Sequence, residues 1–557
     1  MKPVYLIALL CLCTVLGIAQ APVPQLPQVY IDTTFTPPTG ATWQPHNSSS
    51  FQSALNSASP GDTIILDAGV TYQGNFTFPS KSNPNNQWIY IVGSAMSSLP
   101  APGTRVNPAT DAALMPKIVT SSVTAAITIA AGGNHYRLVG LEVYTASTYG
   151  CNSTSSPPVN CFSYQLIYAA SQPNKPLVDS ITVDRCYVHG SPTKDVRQGI
   201  QVNGSNFAVV DSYISEIHQS TSDSQAILGY YTPGPIKIVN NYLSATTENI
   251  MFGGAGGLTN PWVPSDIEIR NNYIYKPMSW AQAGVTLPPA NMWVVKNHVE
   301  LKSARRLLLD HNIMENVWVS GQTGFSIMLT PRTHESGLSA VVDDITIQNN
   351  TLKNVSSGFD TLEYDSACLP ANGCTNPGEM KRVAFYNNLF LLGDTTQPGY
   401  SGGYDWGGLV VHDLVDFVLQ HNTVVAPPNL ASCKASWYFE TSGTGAATPP
   451  SSRTHNVWIL DNALCRQLYG PIGFVGQFSY SLTDYMGDPS PADSRLKGNV
   501  LYAPTADKVY AMPAHNYVSN VPFTYVNPGL NNFQLLSPYW TDTSDGYLAG
   551  VATAALP

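Results

Sequence analysis

Between residues 296 and 306 the chain reads KNHVELKSARR, gathering Lys296, His298, Glu300, Lys302, Arg305 and Arg306 in a protein whose Asp, Glu, Lys and Arg make up only 11% of 557 residues. A free lysine is almost fully protonated at neutral pH, and neighbouring cations lower its proton affinity toward that of a general base. Lys296, Arg305, Arg306 and, one expected turn of the chain later, Arg332 would supply that field to Lys302. Glu300 opposes the effect if it pairs with Lys302, unless its oxygens hold a hard cation such as Ca²⁺. The plain alternative is a surface ion pair between Glu300 and Lys302, worth about 0–1 kcal/mol, beside arginines that only solvate a turn.

Carboxylates offer a second chemistry. Asp343 and Asp344 in VVDDI, and Asp360, Glu363 and Asp365 in FDTLEYD, are the kind of pairs that glycoside hydrolysis requires. Asp343 and Asp344 precede a repeat strand, as Asp184 and Asp266 do near theirs, so turn duty is the simpler expectation. Tyr230, Tyr231, Trp280, Trp293, Trp318, Tyr364 and Trp406 fall in or near irregular stretches, where aromatic rings either stack on sugar faces or brace loops.

The elements that must position these residues emerge from internal repetition. The units ITVDRCYV, FAVVDSYI, IKIVNNYL, IEIRNNYI, LLLDHNIM, ITIQNNTL, VAFYNNLF, FVLQHNTV, VWILDNAL and SRLKGNVL each join two apolar strands through a polar pair. The second residue of each pair is Cys186, Ser212, Asn241, Asn272, Asn312, Asn350, Asn388, Asn422, Asn462 and Asn499, at intervals of 26 to 40 residues. Apolar positions alternate with period two, which excludes helical repeats. The fold class this predicts is all-β, a single-stranded right-handed parallel β-helix whose coils stack roughly 4.8 Å apart around one core. Asn suits its bends because it tolerates the left-handed conformation and its amide can bond to its copy in the next coil. Asp310 and His311 then belong to the repeat, since VLQHN and TIQNN occupy the same position.

A solenoid needs a covered end. The segment FQSALNSASPGDTIIL predicts an amphipathic cap helix over about residues 50–58, then a turn at Pro60–Gly61–Asp62 and the first strand. One β-helix domain spanning residues 28–557, with a closing segment over about 520–557, is the simplest organisation. Residues 1–21 carry a short basic start, an apolar core and small residues at Ala19 and Ala21, the layout of a cleaved secretory signal, and Leu10 before Cys11 argues against a lipoprotein. No later stretch has the roughly 18 apolar residues of a membrane span. Net charge is −10 with no long basic run, which excludes a nucleic-acid partner. Outside the signal, Cys151 with Cys161 and Cys368 with Cys374 could close short loops, and one thiol must remain unpaired.

Strand alternation applied to HVELK turns Val299 and Leu301 inward and His298, Glu300 and Lys302 outward. In FSIMLTPR it turns Phe325, Ile327 and Leu329 inward, and Ser326, Met328, Thr330 and Arg332 outward on the adjacent coil.

The opening ALNSASPGDTIIL and the stretch from Glu300 to Arg332 are similar to pectin-lyase-like β-helix proteins, particularly polysaccharide lyase family six, the alginate lyase and chondroitinase B group. The resemblance covers about 75 residues. It implies a secreted, monomeric enzyme acting on an extracellular uronate polysaccharide. Lys302 would remove the C5 proton and Arg332 would assist departure of the glycosidic oxygen. From the charged cluster itself, Lys296, His298 and Arg306 are the candidates for substrate binding and Glu300 for a Ca²⁺ ligand. Two departures accompany the resemblance: the interval from Lys302 to Arg332 is longer than usual, and Thr333–His334 stands where the family has His-Gly. The GHG and RIK elements of polygalacturonase-like hydrolases are absent from the sequence. The alternatives are a non-catalytic carbohydrate-binding or adhesion solenoid and a carboxylate-dependent hydrolase.

Overall fold

Three long sheets, each wholly parallel, run the length of a computed structural model of the chain. The structure describes residues 21–146, 163–220, 222–254, 261–281, 293–332, 340–362, 380–400, 409–412, 415–429, 438–440, 455–465, 472–473, 495–502, 515–519, 523–530, 532–536, 543–545 and 547–557. Each coil contributes one strand to each sheet in turn. Ser205–Val210 enters sheet 1, Tyr213–Ile217 sheet 2 and Gln225–Gly229 sheet 3, before Ile236–Val239 returns to sheet 1 in the next coil. Among the described residues sheets 1, 2 and 3 hold 14, 14 and 12 strands. The chain is a right-handed parallel β-helix, the hand that parallel crossovers take on twisted strands. Inward residues of all three sheets form one continuous core from Phe51 to Leu501.

The bend between sheets 1 and 2 divides its two tasks between two residues. The first of each polar pair takes the left-handed conformation, as at Asn240 (φ 58°), Asn271 (φ 56°), His311 (φ 55°) and Asn349 (φ 54°). The second turns into the core and forms the ladder. Asn350 Oδ1 accepts from the backbone N and Nδ2 of Asn312 at 2.9 and 3.0 Å, while its own Nδ2 donates to Leu309 O and Asn388 Oδ1, both at 2.9 Å. The same bonds recur through Asn388, Asn422, Asn462 and Asn499 to Asn516. Asp310 and His311 serve this bend, Asp310 accepting from Arg270, Gln348 and Asn349.

The cap helix is Ser48–Ser57, begun by a reciprocal capping box between Asn47 and Ser50, and it buries Phe51, Ala54 and Leu55 on the first coil. Before it, the chain runs lengthwise over the outer face of sheet 1. Asp344 Oδ1 accepts from Gln25 N, Asp266 Oδ1 from Gln28 N, Lys237 donates to Ile31 O, and Arg137 to Thr33 O and Thr34 O. The described part of the closing segment lies along the side of the solenoid as well as near its last coils. Phe533 and Val551 pack on Leu389, and Leu535 and Ala549 pack on Ala463 and Val500, all on sheet 2. Val551 N also donates to Thr423 Oγ1 and Ala552 N to Asn387 Oδ1.

Removing one rung strands the buried amide of the coil before it. Asn350→Ala is expected to lower unfolding stability by about 3 kcal/mol in denaturant titrations, the cost of several lost or unsatisfied buried bonds. Asn350→Ser should recover part of that loss, because Ser212 Oγ already accepts from Cys186 N at 3.0 Å in the equivalent place.

Candidate functional site

Val299–Leu301 and Phe325–Leu329 are neighbouring strands of sheet 3, with Val299 opposite Ile327 and Leu301 opposite Leu329. Their inward residues enter the core as alternation requires. Past the strand ends, Arg332 N donates to Lys302 O at 3.0 Å, so the two cations stand on adjacent coils at the turn from sheet 3 toward sheet 1. Arg332 is exposed and makes no ion pair among the described residues. Lys302 and Glu300 are not open surface residues: they are 7% and 3% exposed, with Lys302 Nζ 3.5 Å from Glu300 Oε1. Room for Lys302 comes from the preceding coil, where Gly253 and Gly254 take φ of +80° and +87°. A Cβ on Gly254 would lie 2.8 Å from Lys302 Cδ.

Lys302 belongs to a larger buried cluster. Lys296 Nζ lies 2.5 Å from Asp223 Oδ1 and 3.5 Å from Glu248 Oε1. Glu248, fully buried on the strand Glu248–Phe252 of sheet 3, accepts from Gln225 Nε2 at 2.7 Å through its other oxygen. Burial, then Glu300 and Asp223, pushes Glu248 up to about 7, with Lys296 and Lys302 opposing. Burial pushes Lys296 down, but Glu248, Asp223 and Glu300 outweigh it and hold its pKa above the ordinary lysine value. Three acids and two lysines leave the cluster one negative charge in excess when all are ionised. Glu300 Oε2 is buried without a hydrogen-bond donor, and Glu248 Oε1 has only the Lys296 ammonium at 3.5 Å. The unpaired Glu300 oxygen in an acid-rich pocket has the chemistry to accept a hard cation such as Ca²⁺, with Glu248 the neighbouring acid that would join it.

His298 departs from expectation. It precedes its strand instead of alternating with it, and it is fully buried, with Nδ1 2.8 Å from Ser326 Oγ and Nε2 3.1 Å from Glu315 O. Burial, together with the nearby Lys276 ammonium, drops its pKa well below the usual histidine range. It has no surface to offer a polymer and instead pins the bend. Lys276, which sequence reasoning passed over, is also fully buried, its Nζ within 2.7–3.1 Å of the carbonyls of Ala245, Thr246 and Thr247 and of Asn249 Oδ1.

Arg305 and Arg306 lie in the strand Ala304–Asp310 of sheet 1 and not in a turn. Arg306 grips Asp266 on the previous coil through two bonds of 2.7 and 2.9 Å, away from the Lys302 cluster. Arg382 grips Asp344 in the same way, at 2.7 and 2.8 Å. Asp343 and Asp344 are likewise strand residues, within Val342–Gln348, and Asp343 is 3.6 Å from both Arg305 and Arg382. Trp280, Trp293, Trp318 and Tyr400 form one buried cluster, with Trp293 stacked on His218 at 3.8 Å, so these tryptophans brace loops. Among the described residues Cys186 is a buried free thiol and Cys465 is disulfide-bonded. Residues 1–20, Cys151, Cys161, Thr333, His334, Glu363, Tyr364, Asp365, Cys368, Cys374 and Trp406 lie outside the described residues.

No protein-family model and no curated protein sequence matches the chain. Among solved structures it is similar to the family 6 alginate lyase AlyGC, at 14% identity and a TM-score of 0.45, over 93% of this chain and 57% of that one. It is also similar to an alginate lyase from Paenibacillus sp. str. FPU-7, at 13% identity and a TM-score of 0.31, over 72% of this chain and 91% of that one. A polygalacturonase from Erwinia carotovora ssp. carotovora gives 12% identity and a TM-score of 0.39, over 72% of this chain and 98% of that one. These likenesses extend to the winding of the chain alone.

Glu248 yields a pH prediction. Its folded pKa of about 7 lies above the ordinary 4.5, so between those values the folded state holds a proton the unfolded state has lost. Its contribution to stability is therefore present below pH 4.5 and is lost as pH rises through 7. Glu248→Gln should accordingly raise the thermal midpoint at pH 8 relative to wild type and leave it nearly unchanged at pH 4.

Proposed function

We propose that this is a secreted, monomeric polysaccharide-active β-helix protein that cleaves an acidic, uronate-containing polysaccharide by β-elimination at the turn edge of sheet 3. The observation that carries the reading is the Arg332 N to Lys302 O bond of 3.0 Å, which holds an exposed arginine one coil from a lysine seated among carboxylates. β-Elimination needs a base at C5, assistance at the leaving oxygen and positive charge against the uronate carboxylate. Lys302 Nζ, as the neutral amine, takes the C5 proton and becomes the ammonium, the electrons of the C5–H bond form the C4=C5 double bond, and the C4–O bond breaks. Arg332 steadies the departing oxygen, which collects its proton from solvent. Lys296 adds positive charge to the same pocket. Ca²⁺ held by Glu300 and Glu248 would supply charge against the substrate carboxylate and relieve the pairing of Glu300 with Lys302.

Alginate, chondroitin sulfate and pectate, each with and without Ca²⁺, form the test, read by the ultraviolet absorbance of unsaturated uronate. Product is expected on at least one, with Lys302→Ala and Arg332→Ala each reducing the rate by roughly 100-fold or more. Gly254→Ala, which crowds the stem of Lys302, should lower the rate while leaving the overall circular dichroism unchanged. Arg306→Gln should leave the rate unchanged, because its partner Asp266 is on sheet 1. No product on any uronate, or full activity in Lys302→Ala, overturns the mechanism. Reducing ends without unsaturation would indicate hydrolysis, and binding without product that survives loss of Lys302 would indicate an adhesion protein.

A further inference from the structure

On the outer face of sheet 2, one register position is tyrosine in four successive coils, Tyr187, Tyr213, Tyr242 and Tyr273. The neighbouring outward position places Tyr144 beside His189. The rings are ordered against one another. His189 stacks on Tyr144 at 4.8 Å and on Tyr187 at 4.1 Å, and Tyr213 stacks on Tyr242 at 4.0 Å. Between these stacks Tyr187 meets Tyr213 edge to face, at 5.8 Å and 76°. Both rings line a solvent-open cavity of about 570 Å³, with Tyr144, His189 and Tyr242 in its wall and Ala109 on its exposed rim. That volume falls in the range of small-molecule sites.

Further along the same register position the residues become Leu389, Thr423, Ala463 and Val500, and there the closing segment lies over the face. The tyrosine half is covered only in part, where Leu99, Val106 and Met115 pack on Tyr187 and Tyr213, and the cavity opens beside that contact. Its side chains are also held in place: His189 Nδ1 is 2.7 Å from Gly190 O and Nε2 is 3.2 Å from Glu142 Oε1. A ligand therefore meets rings whose ordering cost is already met.

The charges select the ligand. Among the described residues no lysine or arginine lines the cavity, and Glu216 does. His189 and Lys117 are both engaged with Glu142. A uronate would find a carboxylate in the wall, while the nearby Arg105 guanidinium lies outside the lining and already donates to Asn240 and Asn271. A neutral sugar would lay its C–H face on a tyrosine ring and pair its hydroxyls with Glu216 and the tyrosine hydroxyls. The geometry points to a neutral-polysaccharide binding site here, on a different sheet from the Lys302 cluster, anchoring the protein to a neutral glycan while that cluster meets an acidic one. The inference does not require turnover at Lys302.

Affinity electrophoresis of the full chain in gels containing xylan, mannan or β-glucan, with alginate and pectate as controls, tests it. Retardation is expected with at least one neutral polymer, weakened at least ten-fold in Tyr213→Ala and in Ala109→Trp, which fills the cavity from its rim. If Tyr213→Ala fails to fold, Ala109→Trp decides, since its site is exposed. Both variants should keep the wild-type rate on any soluble uronate oligosaccharide that is cleaved. No retardation by any neutral polymer, retardation only by the acidic ones, or retardation equal to wild type in folded variants overturns the proposal. Because the readout is mobility alone, failure of the elimination mechanism leaves this outcome legible.

Discussion

The whole solenoid depends on satisfying backbone amides at a bend that faces a dry core. Each coil turns between sheets 1 and 2 with its amides pointing along the axis, where water cannot reach them and an unpaired donor is costly. The Asn ladder meets that requirement by passing each amide to the carboxamide of the next coil, from Asn241 to Asn516. It also enforces register, since a slip of one residue would turn every apolar side chain to the wrong face. With register set, residues far apart in sequence come to lie side by side. Arg332 meets Lys302, and Thr330 Oγ1 reaches Glu300 Oε1 at 3.4 Å, because their strands are clamped in phase.

That same regularity separates structural charge from the charge at the site. On sheet 1 a register column alternates in sign, with Asp266, Arg306, Asp344 and Arg382 on successive coils. These charges neutralise one another in bidentate pairs, and two of the aspartates also hold the lengthwise N-terminal segment. On sheet 3 the balance is different. Asp223, Glu248 and Glu300 outnumber Lys296 and Lys302, and Glu300 Oε2 has no donor. An unbalanced buried cluster is costly to keep unless a proton, a cation or a substrate completes it. Perturbed groups of this kind gather where function is exercised.

Much of this was legible beforehand, and the failures have specific causes. Period-two alternation gave the β-helix, the inward Val299 and Leu301, and the adjacency of Lys302 and Arg332. Alternation misjudged the exposure of His298 because it lies just outside the strand, where Ser326 and the Glu315 carbonyl enclose its ring. Arg306 looked like part of a cationic field because its neighbours in sequence are basic, whereas its partner Asp266 is 40 residues away. Glu248 was missed although TTENIMF stands one coil before HVELK, with Met251 opposite Glu300. The ladder units span only sheets 1 and 2, so the third strand of each coil went unaligned. The tyrosine stripe leaves a plainer trace in the sequence, an aromatic after the ladder position in four consecutive repeats.

The sequence by itself determined the architecture, because repeat spacing, alternation and bend chemistry are local patterns that only one kind of winding satisfies. It also named the two cations at the centre of the proposed site. Which side chains are buried, which charges are already spent on a partner and which surfaces stay uncovered were decided by the tertiary structure. Those properties depend on loops and terminal segments that cross several coils, as the N-terminal residues do over sheet 1 and Ala549 to Val551 do over sheet 2. Burial and pairing are sums over neighbours in space, and in a solenoid with coils of 26 to 40 residues those neighbours are seldom neighbours in sequence.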